Sequence, residues 1–353
     1  MRIHTDCRYY RGDIPCKPHK DHGAHCPNCL HYDRVRERLL IIKLGAIGDV
    51  IRTTPLLRRL KTEFPRSLVH WLTHTPEVLP GEVDRFFRFI PEHIETLKAT
   101  PYDRMFNLDK DREACALANT IHARQKKGFY LRNGNCHPVD APAKAKWITG
   151  LFDDENKKNT KSYVQEIFEI AGYDFRGEEY MLETKVARDW KLPKGNPVIG
   201  LNTGCGSRWT TRLWPEAHWA QLAGMLKKRG FTVVLLGGEQ EHEKNKRLSQ
   251  STKARYFGFY DLQTFIDLLN QCNVVVTAVT MALHLALGLR KKVVLFNNIF
   301  NRNEFELYGR GVILEPGNSC QCCFKNECPL PCMELILPET VFSETVTLAL
   351  TGQ

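Results

Sequence analysis

The sequence predicts an α/β fold in which two facing Rossmann-like domains follow a Cys-rich N-terminal metal module. The first observation is length, because 353 residues suit two domains of about 100–200 residues each. The second is two separate series of buried-strand and helical patterns, which is typical of parallel sheets with helical crossovers. The third is a cluster of cysteines at each end of the chain. The predicted boundaries are 1–33 for the module, 34–190 for the N-terminal domain and 191–353 for the C-terminal domain.

Composition excludes several classes of protein. Hydrophobic residues make up 42% of the chain and charged residues 25%, which is ordinary globular usage and excludes disordered, collagen-like and fibrous chains. The longest apolar run, residues 39–44, already contains Lys43, whereas a membrane span needs about 18 apolar residues. The first residues have no apolar signal-peptide core. We therefore expect a cytoplasmic protein.

The N-terminal domain is predicted from an alternation that begins with RLLIIKL, a buried parallel strand at 38–44. The turn GAIGD then leads into a helix. The predicted strands are 38–44, 67–73, 104–109 and 126–130, and the predicted helices are 50–62, 113–123 and 163–171.

A break in composition at 191–197, KLPKGNP, predicts the linker between the domains. The second series follows it at once. Its predicted strands are 198–202, 231–238, 253–259, 273–277 and 291–297, and its predicted helices are 215–229, 241–249, 262–270 and 281–287. Ligands of such sheets bind beyond the carboxyl ends of the strands, so we expect the active site in the cleft between the two domains.

The first candidate site residue is Asp49, in the turn after the first strand. Gly45 and Gly48 precede it, and glycines there allow close approach of the backbone to a substrate at a helix start that favours an anion. The G-x-x-G spacing is not that of a dinucleotide fingerprint. An N-terminal helix cap is the alternative role for Asp49.

Two further strand ends carry candidate phosphate ligands. The loop at 202–216 combines small residues with Arg208 and Arg212, and a diphosphate needs such room, backbone donors and fixed positive charge. A solvated loop is the alternative. Thr280 opens a helix whose free N–H groups can also receive a phosphate, while His284 alone is more often an ordinary helix histidine.

Four stretches together resemble glycosyltransferase family nine, the ADP-heptose-dependent heptosyltransferases. They are LLIIKLGAIGDVIRTTPLLRRLKTEFP, RLWPEAHWAQLA, VVLLGG and VVVTAVTMALHLALGL, and the similarity covers about residues 36–340 in order and spacing. The resemblance implies the GT-B fold, with the nucleotide sugar in the C-terminal domain. It also implies transfer with inversion and no catalytic metal.

Site roles are carried over from this resemblance position by position. Asp49 is implied as the general base for the acceptor hydroxyl. The implied nucleotide-sugar-binding residues are Ser207, Arg208, Arg212, Glu241, Thr280, Met281 and His284. Val279 and Met281 stand where the family has the Asp and Gly of D-T-G-x-x-H, and that aspartate normally engages hydroxyls of the transferred sugar. The donor sugar is therefore left open, although ADP-heptose is expected.

The stretch FNNIFNRNEFELYGRG departs from the family's usual F-G-P loop. It resembles a divergent branch that includes the bacterial autotransporter heptosyltransferases, which modify proteins and carry an iron held by cysteines. The expected acceptor is a hydroxyl of the lipopolysaccharide core, of another glycan or of a protein. Peripheral contact with the inner face of the inner membrane and homo-oligomer formation are further expectations, and no nucleic-acid partner is expected.

Nine of the 13 cysteines lie in the two terminal clusters, and in a reducing compartment clustered cysteines are more often metal ligands than disulfides. The spacing predicts two structural zinc or iron sites. Their ligands are Cys7, Cys16, Cys26 and Cys29 in the module, and Cys320, Cys323, Cys328 and Cys332 in the loop 320–332. Cys322, His19, His22 and His25 are possible substitutes, and reduced thiols or disulfides are the alternatives. Four-thiolate sites leave no open position for a substrate, so neither is expected to be catalytic.

The net charge of +10 predicts acidic partners without choosing among them. One alternative function is a zinc-stabilised nucleic-acid-binding protein. Against it, the first 33 residues carry five Lys/Arg and four Asp/Glu, and a nucleic-acid module concentrates positive charge. A second alternative is a non-catalytic assembly protein with a transferase fold, because Val279 and Met281 replace family residues. Assays with nucleotide sugars separate both from an enzyme.

Overall fold

The computed structural model describes residues 2–317 and 322–351. Within them the N-terminal segment holds one short helix, α1 (Lys17–His22), and an extended stretch that pairs with the chain just before the first sheet. Arg8 N donates to Asp33 O at 2.8 Å, and the Arg8 side chain forms ion pairs with Asp33 and Asp84. Lys61 also pairs with Asp84, at 2.8 Å. This partly buried group of charges fixes the segment to the edge of the first sheet.

The first sheet has the order β3-β2-β1-β4-β5-β6, with β6 antiparallel to β5 and the other neighbours parallel. Its strands are β1 (Glu37–Ile42), β2 (Ser67–Leu72), β3 (Arg85–Phe87), β4 (Tyr102–Asn107), β5 (Ala123–Arg132) and β6 (Asn135–Pro138). The helices of this half are α2 (Ile47–Ile51), α3 (Pro55–Glu63), α4 (Pro91–Ala99), α5 (Arg112–Thr120), α6 (Ala141–Thr149), α7 (Asp153–Lys158) and α8 (Tyr163–Ala171).

The second sheet is wholly parallel, with the order β11-β10-β9-β7-β8. Its strands are β7 (Val198–Asn202), β8 (Thr232–Leu236), β9 (Val274–Ala278), β10 (Lys292–Phe296) and β11 (Gly311–Leu314). Its helices are α9 (Glu216–Lys228), α10 (His242–Thr252), α11 (Leu262–Asn270), α12 (Met281–Gly288) and α13 (Pro338–Leu350). Short 3-10 turns occur at Cys26–Asn28, Pro76–Val78, Thr210–Arg212, Glu239–Glu241, Arg302–Glu304 and Cys332–Leu335.

The central strands are buried on both faces, which is why they read as continuous apolar runs rather than alternating ones. Every residue of β7 and of β9 is buried. One apolar cluster joins the two halves, because Val50 and Ile51 of α2 pack with Leu283 and Leu287 of α12. The predicted α/β fold with parallel sheets is confirmed, while the domain boundaries at 33 and 190 stay predictions.

Two predicted elements are wrong. The single helix at 50–62 is two helices, α2 and α3, because Pro55 has no N–H to donate to the carbonyl of Ile51. That carbonyl accepts instead from the Thr54 amide at 3.0 Å and the Thr54 hydroxyl at 2.6 Å. The predicted strand at 253–259 is only an isolated bridge between Arg255 and Val234, and Gly258, with φ of +97°, ends the extended course.

No helix within the described ranges combines the length and the apolar character needed to cross a lipid bilayer.

Candidate active site

A cleft of about 870 Å³ lies where the two halves face each other. Its walls come from segments that follow strands, as expected for ligand sites of parallel sheets. The first half contributes the turn after β1 and the start of α2, and the second half contributes the segments after β7, β8, β9 and β10. The lining segments are 46–49 with Arg52, 202–212 in part, 237–241, 260–265 in part, 279–284 in part, and 300–305 in part.

Asp49 lies in the first turn of α2 and its side chain is 33% exposed, toward the cleft. Arg52 Nη2 lies 2.8 Å from Asp49 Oδ1, and Lys43 Nζ lies 4.0 Å from Asp49 Oδ2. Burial pushes the pKa of the Asp49 carboxyl upward, but the charges of Arg52 and Lys43 outweigh it and lower the pKa to about 2. The carboxylate is therefore ionised at neutral pH and still accessible to a ligand.

Both cations beside Asp49 are themselves held by buried groups. Lys43 is 5% exposed and pairs with Asp109 at 3.4 Å, while Asp109 also accepts from the Leu44 amide at 2.9 Å. The Arg52 guanidinium lies over the Tyr163 ring, 3.4 Å from its centroid, which is a cation–π geometry. Asp49 is thus one end of a charge network that continues into the first sheet.

Gly48 and His284 bring the two halves into direct contact. A Cβ on Gly48 would lie 2.4 Å from His284 Cδ2, so only glycine leaves room for the imidazole. His284 is 7% exposed, and its Nδ1 has no hydrogen-bond partner within the described part of the chain. Burial, helped by the charge of Arg52, lowers the pKa of His284 to about 3. The ring is therefore neutral at physiological pH, between Asp49 and the second half.

The opposite wall presents neutral donors around the start of α12. The Thr280 hydroxyl accepts from the Ala282 amide at 3.1 Å and caps the helix. Asn202 Nδ2 reaches both the Thr280 hydroxyl at 3.3 Å and the Thr277 hydroxyl at 3.0 Å. The amides of Ala282 and Leu283 both donate to Thr280. The Met281 amide has no such partner in the described chain, and it lies at the helix start, where the partial positive charge favours an anion.

Arg212 is buried against the loop after β7. Its Nη2 donates to Cys205 O at 2.7 Å and its Nε to Trp209 O at 3.2 Å, so the guanidinium holds the loop in shape while lining the cleft. Ser207 and Arg208 lie on the exposed tip of the same loop and are not part of the cleft wall. The Arg208 guanidinium lies over the ring of Trp209, and Trp209 does line the cleft.

Glu241 lies at the end of the segment after β8. Its Oε2 accepts from the Gly238 amide at 3.0 Å, and a Cβ on Gly204 would lie 2.1 Å from Glu241 Oε1. The glycines of two loops therefore make room for one carboxylate at the cleft wall. Of the predicted site residues, the cleft gathers Asp49, Arg212, Glu241, Thr280, Met281 and His284. Their roles stay predictions.

Sequence reasoning missed three residues of this site. Lys43 interrupts an otherwise apolar strand, which is a readable signal, and Asp109 closes another strand at the same sheet edge. Glu304 lies in the divergent segment after β10 and also lines the cleft, but no pattern in the sequence distinguishes it from its neighbours.

The predicted metal sites are not confirmed. Within residues 2–317 and 322–351 no three His, Cys, Asp or Glu side chains are arranged to hold one ion. The module instead pairs its histidines, with His22 and His31 stacked at 4.9 Å between ring centroids. In the second cluster Cys320 lies outside the described residues, and the buried Cys332 thiol accepts from Asn298 Nδ2 at 3.3 Å. The described side chains therefore form no metal centre, and the two sites stay predictions.

Known proteins share both the sequence pattern and the fold. The chain is 23% identical over 289 residues to lipopolysaccharide heptosyltransferase 2 of Salmonella typhimurium, covering 73% of this chain and 81% of that protein. Its structure is similar to a family 9 glycosyltransferase of Veillonella parvula, with a TM-score of 0.68, 18% identity, and coverage of 90% and 98% of the two chains. It is also similar to the dodecameric iron-containing heptosyltransferase TibC of enterotoxigenic E. coli, solved with ADP-D-beta-D-heptose, with a TM-score of 0.59, 16% identity and coverage of 89% and 76%.

The similarity to these structures supports the predicted α/β fold with parallel sheets. The model of glycosyltransferase family 9 (heptosyltransferase) matches residues 90–334, which is more than half of the chain and includes most of the cleft. The chain therefore belongs to glycosyltransferase family 9 and is a glycosyltransferase.

Proposed function

We propose that the chain transfers a heptose, with inversion, from ADP-heptose to a hydroxyl group of a lipopolysaccharide-core or protein acceptor. The observation that carries the proposal is the cleft itself. One wall offers an ionised carboxylate, Asp49, and the other offers a helix start and Arg212 to an anion. Transfer from a nucleotide sugar needs both, because the acceptor must lose a proton and the departing diphosphate carries charge.

In this proposal Asp49 accepts the proton of the acceptor hydroxyl. With its pKa held near 2, the carboxylate is ionised but weakly basic, so proton transfer becomes favourable only as the hydroxyl oxygen bonds to the sugar carbon and turns acidic. Proton transfer is thus expected late in the reaction. The two cations that hold Asp49 also keep the carboxylate ionised when the negatively charged donor enters the cleft.

The diphosphate is assigned to the second half. Its oxygens would be received by Arg212, by the amides of Thr280 and Met281 at the start of α12, and by the loop residues Ser207 and Arg208. Ser207 and Arg208 are exposed in this structure, so their part in binding requires the loop tip to turn inward. Glu241 would accept the ribose hydroxyls, and neutral His284 would lie beside the reacting groups. Arg208, Arg212 and the start of α12 would supply the positive charge that a metal ion could otherwise provide to the diphosphate. Transfer should therefore persist in EDTA.

A relative named for lipopolysaccharide synthesis supports a lipid-linked core acceptor at the inner face of the inner membrane, and hence a cytoplasmic location. The similarity to TibC supports a protein acceptor, homo-oligomer formation and an iron. Structural zinc or iron at the two cysteine clusters remains a prediction of their spacing, and elemental analysis of purified protein tests it. Family membership favours transfer over the two alternative functions.

A thermal-unfolding screen tests the donor assignment. Purified protein is heated with ADP, ADP-heptose, other nucleotide sugars and duplex DNA, and transfer to core saccharides or peptides is then measured. A ligand at about 100 times its Kd stabilises the fold by about 2.7 kcal/mol, so ADP-heptose should raise the Tm by several degrees. DNA should not. If no nucleotide sugar raises the Tm or serves as donor, the proposal is wrong.

A further inference from the structure

The segment after β10, residues 297–305, crosses from the second half to the first. Asn301 is 4% exposed, and its Nδ2 donates to Asn156 O at 2.6 Å and to Asn159 O at 2.7 Å. Asn303 Nδ2 adds a third bond to Asn159 O at 3.1 Å. At its start the segment is held by Asn297, which donates to Phe300 O at 2.9 Å. It is thus an asparagine clasp, fixed in both halves of the molecule.

The clasp presents Glu304 to the cleft. The Glu304 side chain is half-buried, and its Oε1 accepts from Asn156 Nδ2 at 3.3 Å. No Lys, Arg or His of the described chain forms an ion pair with it. The 3-10 turn that carries Glu304 contacts α8, and Tyr163 of α8 lies under the Arg52 guanidinium that pairs with Asp49. Glu304 therefore lies on the Asp49 side of the cleft and retains unused capacity to accept hydrogen bonds.

Two other carboxylates of the cleft are already engaged. Asp49 is held by Arg52 and Lys43, and Glu241 bonds to the amide of Gly238 on the segment after β8. Glu239 also lines the cleft, exposed on that same segment after β8. The wall at Val279 and Met281 is apolar in its side chains and cannot accept from a hydroxyl. A transferred sugar must lie near Asp49, because the base acts on the oxygen that attacks the sugar carbon. Glu304 lines the same cleft, so its carboxylate is available to hydroxyls of that sugar.

We propose that Glu304 is a specificity-determining residue that accepts hydrogen bonds from hydroxyl groups of the transferred sugar. The inference rests on the proposed transfer from a nucleotide sugar and names how the cleft recognises the sugar portion. The clasp gives this recognition its precision, because bonds from the side chains of Asn297, Asn301 and Asn303 fix the backbone that leads into Glu304. A sugar without a donor at this position leaves the buried carboxylate unpaired, which is costly.

The test is Glu304→Gln, compared with Glu155→Gln. Glu155 lies next to Asn156 on α7 but pairs with Lys158 on the surface, outside the cleft. Calorimetry gives the Kd of ADP, and initial rates give KM and kcat for ADP-heptose and ADP-glucose. Glu304→Gln should leave the Kd of ADP unchanged, raise the KM of ADP-heptose roughly tenfold or more, and reduce the preference for ADP-heptose over ADP-glucose. Glu155→Gln should match the wild type.

Two outcomes would overturn the inference: an unchanged preference between the two donors, or an equal weakening of ADP and ADP-heptose, which would place Glu304 at the nucleotide. If wild-type protein binds neither ADP nor any nucleotide sugar, the proposed function fails instead, so the two failures are distinguishable.

Should Glu304→Gln not fold, Asn156→Ala removes only the amide that holds the carboxylate. It should raise the KM of ADP-heptose by a smaller factor, again without changing the Kd of ADP, and no change there would equally overturn the inference.

Discussion

The two walls of the cleft handle charge in opposite ways. On the first wall Asp49, Arg52 and Lys43 form a network in which each charge already has a partner. On the second wall Asn202 and Thr280 are neutral, and Arg212 bonds to backbone carbonyls rather than to a carboxylate. Paired charges such as those around Asp49 set the pKa values of one another. A cation without a carboxylate partner, such as Arg212, and a helix start instead attract an anion. The difference supports the proposed division, with proton transfer at the first wall and binding of the donor's diphosphate at the second.

The strongest challenge to this comparison is Asp49→Asn, which keeps the shape of the side chain and removes its charge. We expect kcat to fall by roughly 100-fold or more, because general base catalysis contributes about 10²–10⁴-fold, while the Kd of ADP stays within about threefold. Initial rates and calorimetry measure the two. Asp154→Asn, on the exposed surface of α7, is the control. Full activity of Asp49→Asn would contradict the assignment of the base.

On the second wall, Arg212→Lys is expected to weaken ADP binding roughly tenfold, with kcat at saturating donor little changed. A lysine keeps the charge but cannot donate to Cys205 O and Trp209 O from one planar group while facing a phosphate. Calorimetry with ADP measures the effect. Arg247→Lys is the matched control, since Arg247 pairs with Glu216 on the surface. Equal ADP affinities of Arg212→Lys and wild type would remove Arg212 from the phosphate site.

The smallest expected effect concerns His284, where the walls meet. Its pKa is about 3 in the fold and 6.5 in an unperturbed histidine. Below pH 6.5 the unfolded chain therefore binds the extra proton and the folded state loses stability. We expect His284→Gln to reduce the loss of unfolding free energy between about pH 7 and 5.5 by up to about 1 kcal/mol.

Urea unfolding of His284→Gln and wild type at the two pH values measures this difference. His70, whose pKa burial lowers to about 4, contributes equally to both proteins and cancels. Identical pH slopes would show that the imidazole is not held neutral in the fold.

Much of the architecture could be predicted because β1, β7 and β9 are buried parallel strands, whose continuous apolar runs are legible in the sequence. The position of Asp49 at the cleft could also be predicted, from the glycine turn after β1 and the family resemblance together, since the turn alone left a helix cap as an alternative. The charge network behind Asp49 could not be predicted, because Lys43 and Asp109 are 66 residues apart and only the order of the strands makes them neighbours. Glu304 was equally hidden, because its position depends on the asparagine side chains of the clasp meeting backbone carbonyls at 156–159. The cysteine spacing predicted metal centres that the described side chains do not form.

The position of Trp209 has a practical consequence for measuring donor binding. Of the six tryptophans, four are buried in the apolar cores, at Trp71, Trp190, Trp214 and Trp219, and Trp147 donates to Cys136 O away from the cleft. Trp209 alone among them lines the cleft, half-buried, with its ring 5.7 Å from that of Phe300. A nucleotide that enters would change the polarity around this one indole. The protein thus carries its own fluorescent reporter, and the remaining five tryptophans provide a constant background.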